Sequence, residues 1–235
     1  MKYKRILLKL SGEVLMGSQK HGIDQATVHE IAAEISEVRA LGVEIGIVLG
    51  GGNIYRGKRG EKEGVDRVTG DYVGMMATVI NALVLQDTLN KMGCPAVVQT
   101  ALNLEKVAEP YNHGRAIEHL GNGRIVIFAC GTGNPYFTTD TAAALRAVET
   151  RADIVMKATK VDGVYDKDPE IHKDAVFYPE ISYSDVIAKD LQVMDLTAIT
   201  LCKENNVPVS VFSIRVRDNL KKVVLGEKIG TIVRR

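Results

Sequence analysis

The stretch Val43-Glu44-Ile45-Gly46-Ile47-Val48-Leu49, followed at once by Gly50-Gly51-Gly52-Asn53, decides the fold. A β-branched apolar run of this kind suits a strand buried on both faces, as in a parallel sheet. It passes directly into three glycines, where no Cβ keeps other groups away and φ > 0 is accessible. The same strand-then-glycine signature recurs three times. Lys4–Leu10 leads into Ser11-Gly12, Arg124–Cys130 into Gly131-Thr132-Gly133-Asn134, and Ala152–Ala158 into the turn running from Lys157 through Gly163. Helical patterns fill the intervals. Asp24–Leu41 places Val28, Ile31, Ile35 and Val38 on one face, with Asp24 able to cap it and Gly42 to end it. Asp71–Met92 has Met76, Val79, Ile80, Leu83 and Val84 on its apolar side, and Thr139–Arg151 is Ala-rich. Ala96–Gln99 reads as a short strand and Val161–Pro179 as a loop or hairpin. Helix Asp195–Asn205, strand Val207–Ser213, helix Asp218–Leu225 and strand Gly230–Val233 complete the chain. The alternation predicts an α/β protein with a mainly parallel central sheet covered on both faces, in one large domain or two small ones. All four glycine turns then lie on one rim, at the carboxyl ends of the strands, where such sheets bind ligands.

Composition narrows the partners. Lys plus Arg number 30 against 29 Asp plus Glu in 235 residues, a net charge of +1, so binding nucleic acid through bulk charge is not expected. No apolar stretch approaches the ~20 residues of a membrane helix, and Lys9 cuts the run Ile6-Leu7-Leu8 too early for a signal peptide. A cytoplasmic protein without a membrane partner is the expectation. The three cysteines contain no CxxC and the five histidines no paired spacing, so no protein-held metal is expected.

Several glycine turns on one rim point to a phosphate-rich ligand, because backbone N–H groups there can face phosphate oxygens. Two common phosphate motifs fail. Gly52-Asn53-Ile54-Tyr55-Arg56-Gly57-Lys58-Arg59 ends in Arg where a P-loop needs a hydroxyl, and Gly131-Thr132-Gly133 continues as Asn134-Pro135-Tyr136, which breaks a dinucleotide fingerprint. The fold is therefore expected to work without a P-loop. Lys9 ends an otherwise apolar strand, which is costly unless the ammonium meets an anion. Arg56 follows the triple glycine and could clamp a phosphate. Asp71, Asp140 and Asp195 each open a predicted helix and could be caps or favourable first-turn charges; Thr138 and Thr139 could be caps or phosphate-binding hydroxyls.

Lys9-Leu10-Ser11-Gly12, Gly50-Gly51-Gly52-Asn53, and Thr159-Lys160-Val161-Asp162-Gly163-Val164-Tyr165 with Asp168-Pro169 resemble the amino acid kinase superfamily. These motifs leave the acceptor open. Gly131 through Asp140, Gly70-Asp71-Tyr72-Val73-Gly74-Met75 and Val193-Met194-Asp195-Leu196 resemble its bacterial uridylate branch, in order along the whole chain. That resemblance implies transfer from ATP to UMP with Mg²⁺ in pyrimidine nucleotide synthesis. It also implies a three-layer αβα sandwich without a P-loop, one domain over residues 1–235, and a cytoplasmic homohexamer with GTP and UTP as effectors. It implies ATP binding by Lys9, Leu10, Ser11, Gly12, Gly52, Arg56, Thr159, Tyr165 and Asp168. UMP binding falls to Gly51, Asp71, Thr132, Gly133, Asn134, Pro135, Tyr136, Phe137, Thr138 and Thr139, with Asp71 on the ribose. Gly17-Ser18-Gln19-Lys20-His21-Gly22 corresponds to the region linked with GTP, though it keeps only the flanking glycines of the pattern.

A phosphate acceptor is already ionised at neutral pH, so no general base is required, in keeping with the lack of a Ser-His or Cys-His pair. Catalysis then reduces to positioning and electrostatics. Lys9 and Arg56 are expected to bridge the transferring group, with Asp195 orienting Lys9 or a metal-bound water and Mg²⁺ carried on ATP oxygens.

Overall fold

A computed structural model describes residues 2–57, 64–169 and 171–235. Among these, nine strands form the central sheet: β1 (Arg5–Leu10), β2 (Glu44–Leu49), β3 (Ala96–Thr100), β4 (Glu109–Pro110), β5 (Ile125–Ala129), β6 (Ile154–Thr159), β9 (Glu180–Ser182), β10 (Val209–Ser213) and β11 (Thr231–Arg234). Their spatial order is β4-β3-β5-β2-β1-β6-β10-β11-β9. Strands β7 (Val164–Tyr165) and β8 (Phe177–Tyr178) make a separate antiparallel hairpin within the segment expected to be a loop or hairpin. The helices are α1 (Gln25–Ala40), α2 (Arg67–Lys91), α3 (His113–Gly121), α4 (Thr139–Glu149), α5 (Tyr183–Ala188), α6 (Leu196–Asn205) and α7 (Asn219–Leu225), with a 3-10 turn at Gly12–Met16.

Every pairing in the large sheet is parallel except β10 with β11. The neighbours β5-β2-β1-β6 therefore end on one rim, with all four glycine turns on it. Alternate residues of β1 face opposite layers. Ile6, Leu8 and Leu10 join Val28 and Ile35 of α1, Leu85 of α2 and Val224 of α7. Leu7 points the other way, with Val48 and Val155, toward Ala143 and Ala147 of α4, Leu120 of α3 and Ile199 of α6. This is the expected α/β sandwich. Each fully buried Leu or Ile contributes about 1.5–3 kcal/mol, and the alanines of α4 let that helix lie close to β1, β2 and β6.

Several boundaries differ from expectation. Helix α2 starts at Arg67, where the Asp66 carboxylate accepts the Thr69 N–H at 3.1 Å, so Asp71 lies in the second turn and is no cap. Strands β4 and β9 and helices α3 and α5 went unread. An 18-residue window of the 25-residue α2 has a mean hydropathy of 1.4, so the helix is long and apolar enough to cross a membrane by length and composition, contrary to the expectation that no such stretch exists. One side of it packs into the core through Val79, Ala82, Leu85 and Leu89. Lys58 and Arg59, the end of the failed P-loop match, lie outside the described residues.

Candidate active site

The glycine turns at the rim serve close approach more than unusual φ. A Cβ on Gly12 would sit 2.5 Å from the Gly50 carbonyl oxygen, and one on Gly51 would sit 2.8 Å from Gly74 O and Ala77 Cβ of α2. Neither has a positive φ, whereas Gly131 and Gly133 do, at 56° and 80°. The triple-glycine turn is fixed from below by two buried amides. Asn81 of α2 donates to Gly50 O at 2.7 Å and exchanges hydrogen bonds with Asn53 at 2.8 and 3.0 Å. Asn53 Nδ2 also donates to Gly22 O at 2.9 Å, and Gly22 N–H to Asn53 O at 2.8 Å.

Two cavities open at this rim. The larger, about 550 Å³, is lined by Lys9, Ser11, Glu13, Lys157, Thr159, Tyr165 and Asp168 among others. The smaller, about 150 Å³, is lined by Gly51, Gly52, Asp71, Thr132, Phe137, Thr138 and Thr139 with neighbours from α2. The start of α4 lies between them in the chain's logic: Thr138 and Thr139 face the smaller cavity, and the next residue, Asp140, holds lysines of the larger.

That carboxylate is the centre of the site. Lys9 and Lys157 stand side by side in the β1–β6 register, on the face toward α4. Like charges so placed repel. Asp140 answers both, with Oδ1 at 2.8 Å from Lys9 Nζ and Oδ2 at 2.9 Å from Lys157 Nζ. Lys9 is only 8% exposed. Burial would raise the Asp140 carboxyl, but the charges of Lys9 and Lys157 outweigh it and hold the group below its ordinary value. Burial pushes the Lys157 ammonium down; Asp140 offsets part of that and Lys9 adds to it. Lys157 also donates to Val193 O at 2.5 Å.

Asp195 has a different task from the one expected. It caps α6 through the Ala198 N–H at 2.9 Å, accepts from the Thr141 hydroxyl at 2.9 Å and N–H at 3.1 Å, and accepts from the Thr138 hydroxyl. The carboxylate against Lys9 is Asp140. Thr138 caps α4, accepting from Asp140 N–H at 3.0 Å. Asp71 reaches across the smaller cavity, where its Oδ2 accepts Tyr136 N–H at 2.7 Å and Arg67 Nε at 3.0 Å.

The remaining expected residues divide. Lys9, Ser11, Thr159, Tyr165 and Asp168 line the larger cavity, while Leu10 is buried in the core and Gly12 packs on Gly50. Gly52, expected on the ATP side, lines the smaller cavity beside Gly51. Arg56 lines neither; its side chain is 56% exposed and pairs with Glu13 at 2.6 Å. Gly133, Asn134, Pro135 and Tyr136 shape the turn over the smaller cavity without lining it. Gly17 lines a third cavity, along α1, and Ser18 through His21 are exposed. Sequence reasoning gave no role to Lys157, although it interrupts an apolar strand just as Lys9 does.

A mainly parallel αβα sandwich whose rim gathers two lysines, one carboxylate and glycine turns around paired cavities has the donors to hold phosphate groups without a P-loop. The amino acid kinase family model matches residues 4–213, and the chain belongs to that family, which makes it a kinase. Within the family it is similar to UMP kinases. The one from Bacillus anthracis shares 39% identity at a TM-score of 0.96, over 100% of this chain and 97% of that one. The UMP kinase from Ureaplasma parvum shares 37% at 0.94, over 100% of both chains. The uridylate kinase from Archaeoglobus fulgidus shares 28% at 0.76, over 97% of this chain and 99% of that one.

Proposed function

We propose that this protein transfers the γ-phosphoryl group of ATP to UMP, giving ADP and UDP. The Lys9–Asp140–Lys157 cluster carries the reading, because it joins the larger cavity to the helix start that borders the smaller one. ATP occupies the larger cavity and UMP the smaller. An ionised oxygen of the UMP phosphate attacks the γ-phosphorus, the bond from that phosphorus to the β,γ-bridging oxygen breaks, and ADP leaves with the electron pair. No proton needs removing. Two ammonium groups against one carboxylate leave the cluster one cation in excess, placed to stabilise the charge spread over the transferring oxygens. N–H groups at Gly51 and Gly52 add donors, and Arg56 approaches from the opposite side. Thr138 and Thr139 face the UMP phosphate, and Asp71 the ribose.

Mg²⁺ would supply charge neutralisation on the donor phosphates. Asp140 is committed to two lysines and Asp195 to four donors at the starts of α4 and α6. Among the described residues no cluster of three His, Cys, Asp or Glu could hold a metal. This donor set fits an ion held by phosphate oxygens and water. One domain over residues 1–235, a homohexamer, a cytoplasmic setting, a place in pyrimidine nucleotide synthesis and control by GTP and UTP belong to the same reading. The hydrogen bonds between Gly22 and Asn53 support a route from Gly17–Gly22 to the glycine turn.

The test is a coupled ADP-release assay with ATP and, in turn, UMP, CMP, aspartate and glutamate, each with and without GTP. Turnover should be fastest with UMP. Faster turnover with either amino acid would sink the proposal.

A further inference from the structure

Glu13 lies in the 3-10 turn directly after β1 and lines the larger cavity. Its Oε1 is 2.6 Å from Arg56 Nη2, and its Oε2 is 2.9 Å from Lys160 Nζ. The two cations come from different turns. Arg56 follows Gly50–Asn53 and donates from Nε to Gly52 O at 3.2 Å. Lys160 follows β6 and lines the larger cavity. One side chain thus ties three of the four glycine turns together. A carboxylate with each oxygen on a separate cation occupies those cations much as two oxygens of a phosphate would. The Glu13, Arg56 and Lys160 side chains remain 33%, 56% and 30% exposed, so solvent and salt screen both pairs and leave them displaceable. The Lys160 hydrogen bond, with the Lys160 and Arg56 charges behind it, holds the Glu13 carboxyl below its usual range against the opposing effect of burial, so it is ionised at neutral pH.

We infer that Glu13 is a positioning residue for the donor polyphosphate: from the wall of the larger cavity it holds Lys160, which lines that cavity, and Arg56, which lies beside Glu13, and yields both to arriving phosphate oxygens. Removing its charge should leave this cation pair more attractive to polyanions, because nothing competes for it. It should also leave those cations poorly aimed. Binding strength and turnover should therefore move in opposite directions, a split that a merely structural role would not produce. The turnover half rests on the phosphoryl-transfer reading above; the binding half does not.

Two variants of the full chain test this. Glu13→Gln keeps the length and removes the charge, and Glu13→Asp keeps the charge but is one methylene too short to span both cations. Calorimetric binding of inorganic tripolyphosphate should tighten at least threefold in Glu13→Gln, while kcat with saturating ATP and UMP falls at least fivefold. Glu13→Asp, still able to engage one cation, should tighten tripolyphosphate binding less than Glu13→Gln yet share the loss of kcat. Unchanged or weaker tripolyphosphate binding in Glu13→Gln, or a kcat within twofold of the parent, overturns the inference. A parent that releases no ADP from ATP and UMP defeats the proposed function instead, and the tripolyphosphate comparison still decides whether Glu13 competes for the cations.

Discussion

Lys9 and Lys157 are neighbours that only a shared anion makes tolerable, and Asp140 is that anion. Removing one member of a buried charged set costs about 3–5 kcal/mol, because what remains is uncompensated. Asp140→Asn should lower the urea midpoint by a corresponding amount, and adding Lys157→Met in the same chain should recover part of it. The pH sign follows from the direction of the shift. The folded Asp140 carboxyl sits below 3.8, so its stabilisation is present above that value and disappears as pH falls through the lower folded value. Urea titrations should show the parent losing stability as pH drops below 3.8, with that component missing from Asp140→Asn. Lys9→Ala should cut kcat at least 100-fold, ~2.7 kcal/mol of barrier, while UMP binding stays measurable by calorimetry; a loss under tenfold would deny Lys9 its role. Lys9 was legible in the sequence because a cation ending an apolar strand breaks the pattern. Lys157 breaks β6 in the same way, but it was absorbed into a turn. Asp140 looked like a first-turn charge, since nothing in one sequence shows that two strands bring their lysines to the same helix start.

The glycine turn after β2 owes its shape to α2, through Asn81 and Asn53. Asn81→Ala would orphan the Gly50 carbonyl and part of the Asn53 amide, at a cost of about 1–3 kcal/mol. The expected result is a lower denaturation midpoint together with a raised KM for UMP, because Gly51 borders the smaller cavity. An unchanged KM would separate the amide pair from the site. Strands β1, β2, β5 and β6 and helix α1 were readable because their apolar spacing is uniform over several residues. Helix α3 buries only Ala116 and Leu120, and β4 is two residues ending in Pro110, too little pattern to detect. The start of α2 was misplaced because Gly70-Asp71 looks like a turn and a cap, while Asp66, four residues before Gly70, does the capping.

For the whole molecule, α2 is the longest helix among the described residues and presents Tyr72, Val73, Met76 and Ile80 to solvent at helical spacing. An exposed apolar stripe of this kind marks an association surface. If it serves the proposed homo-oligomer, Ile80→Glu should shift sedimentation velocity toward smaller species, and a wild-type profile in that variant would assign the assembly to another surface. The strand order has a consequence of a different sort, in time. The first strand of the chain ends up at the middle of the sheet, between β2 and β6. While the polypeptide is being made, β1 can dock on β2 early, but its other edge stays open until residues beyond Ile154 have emerged. Charged lysines on open strand edges discourage pairing with other chains. Lys9, later central to the site, therefore stands at that temporary edge during synthesis. In refolding the whole chain is present, but the β1–β2 connection is much shorter than the β1–β6 one, so pulse-labelled hydrogen exchange should find the β1 amides that donate toward β2 protected before those that donate toward β6.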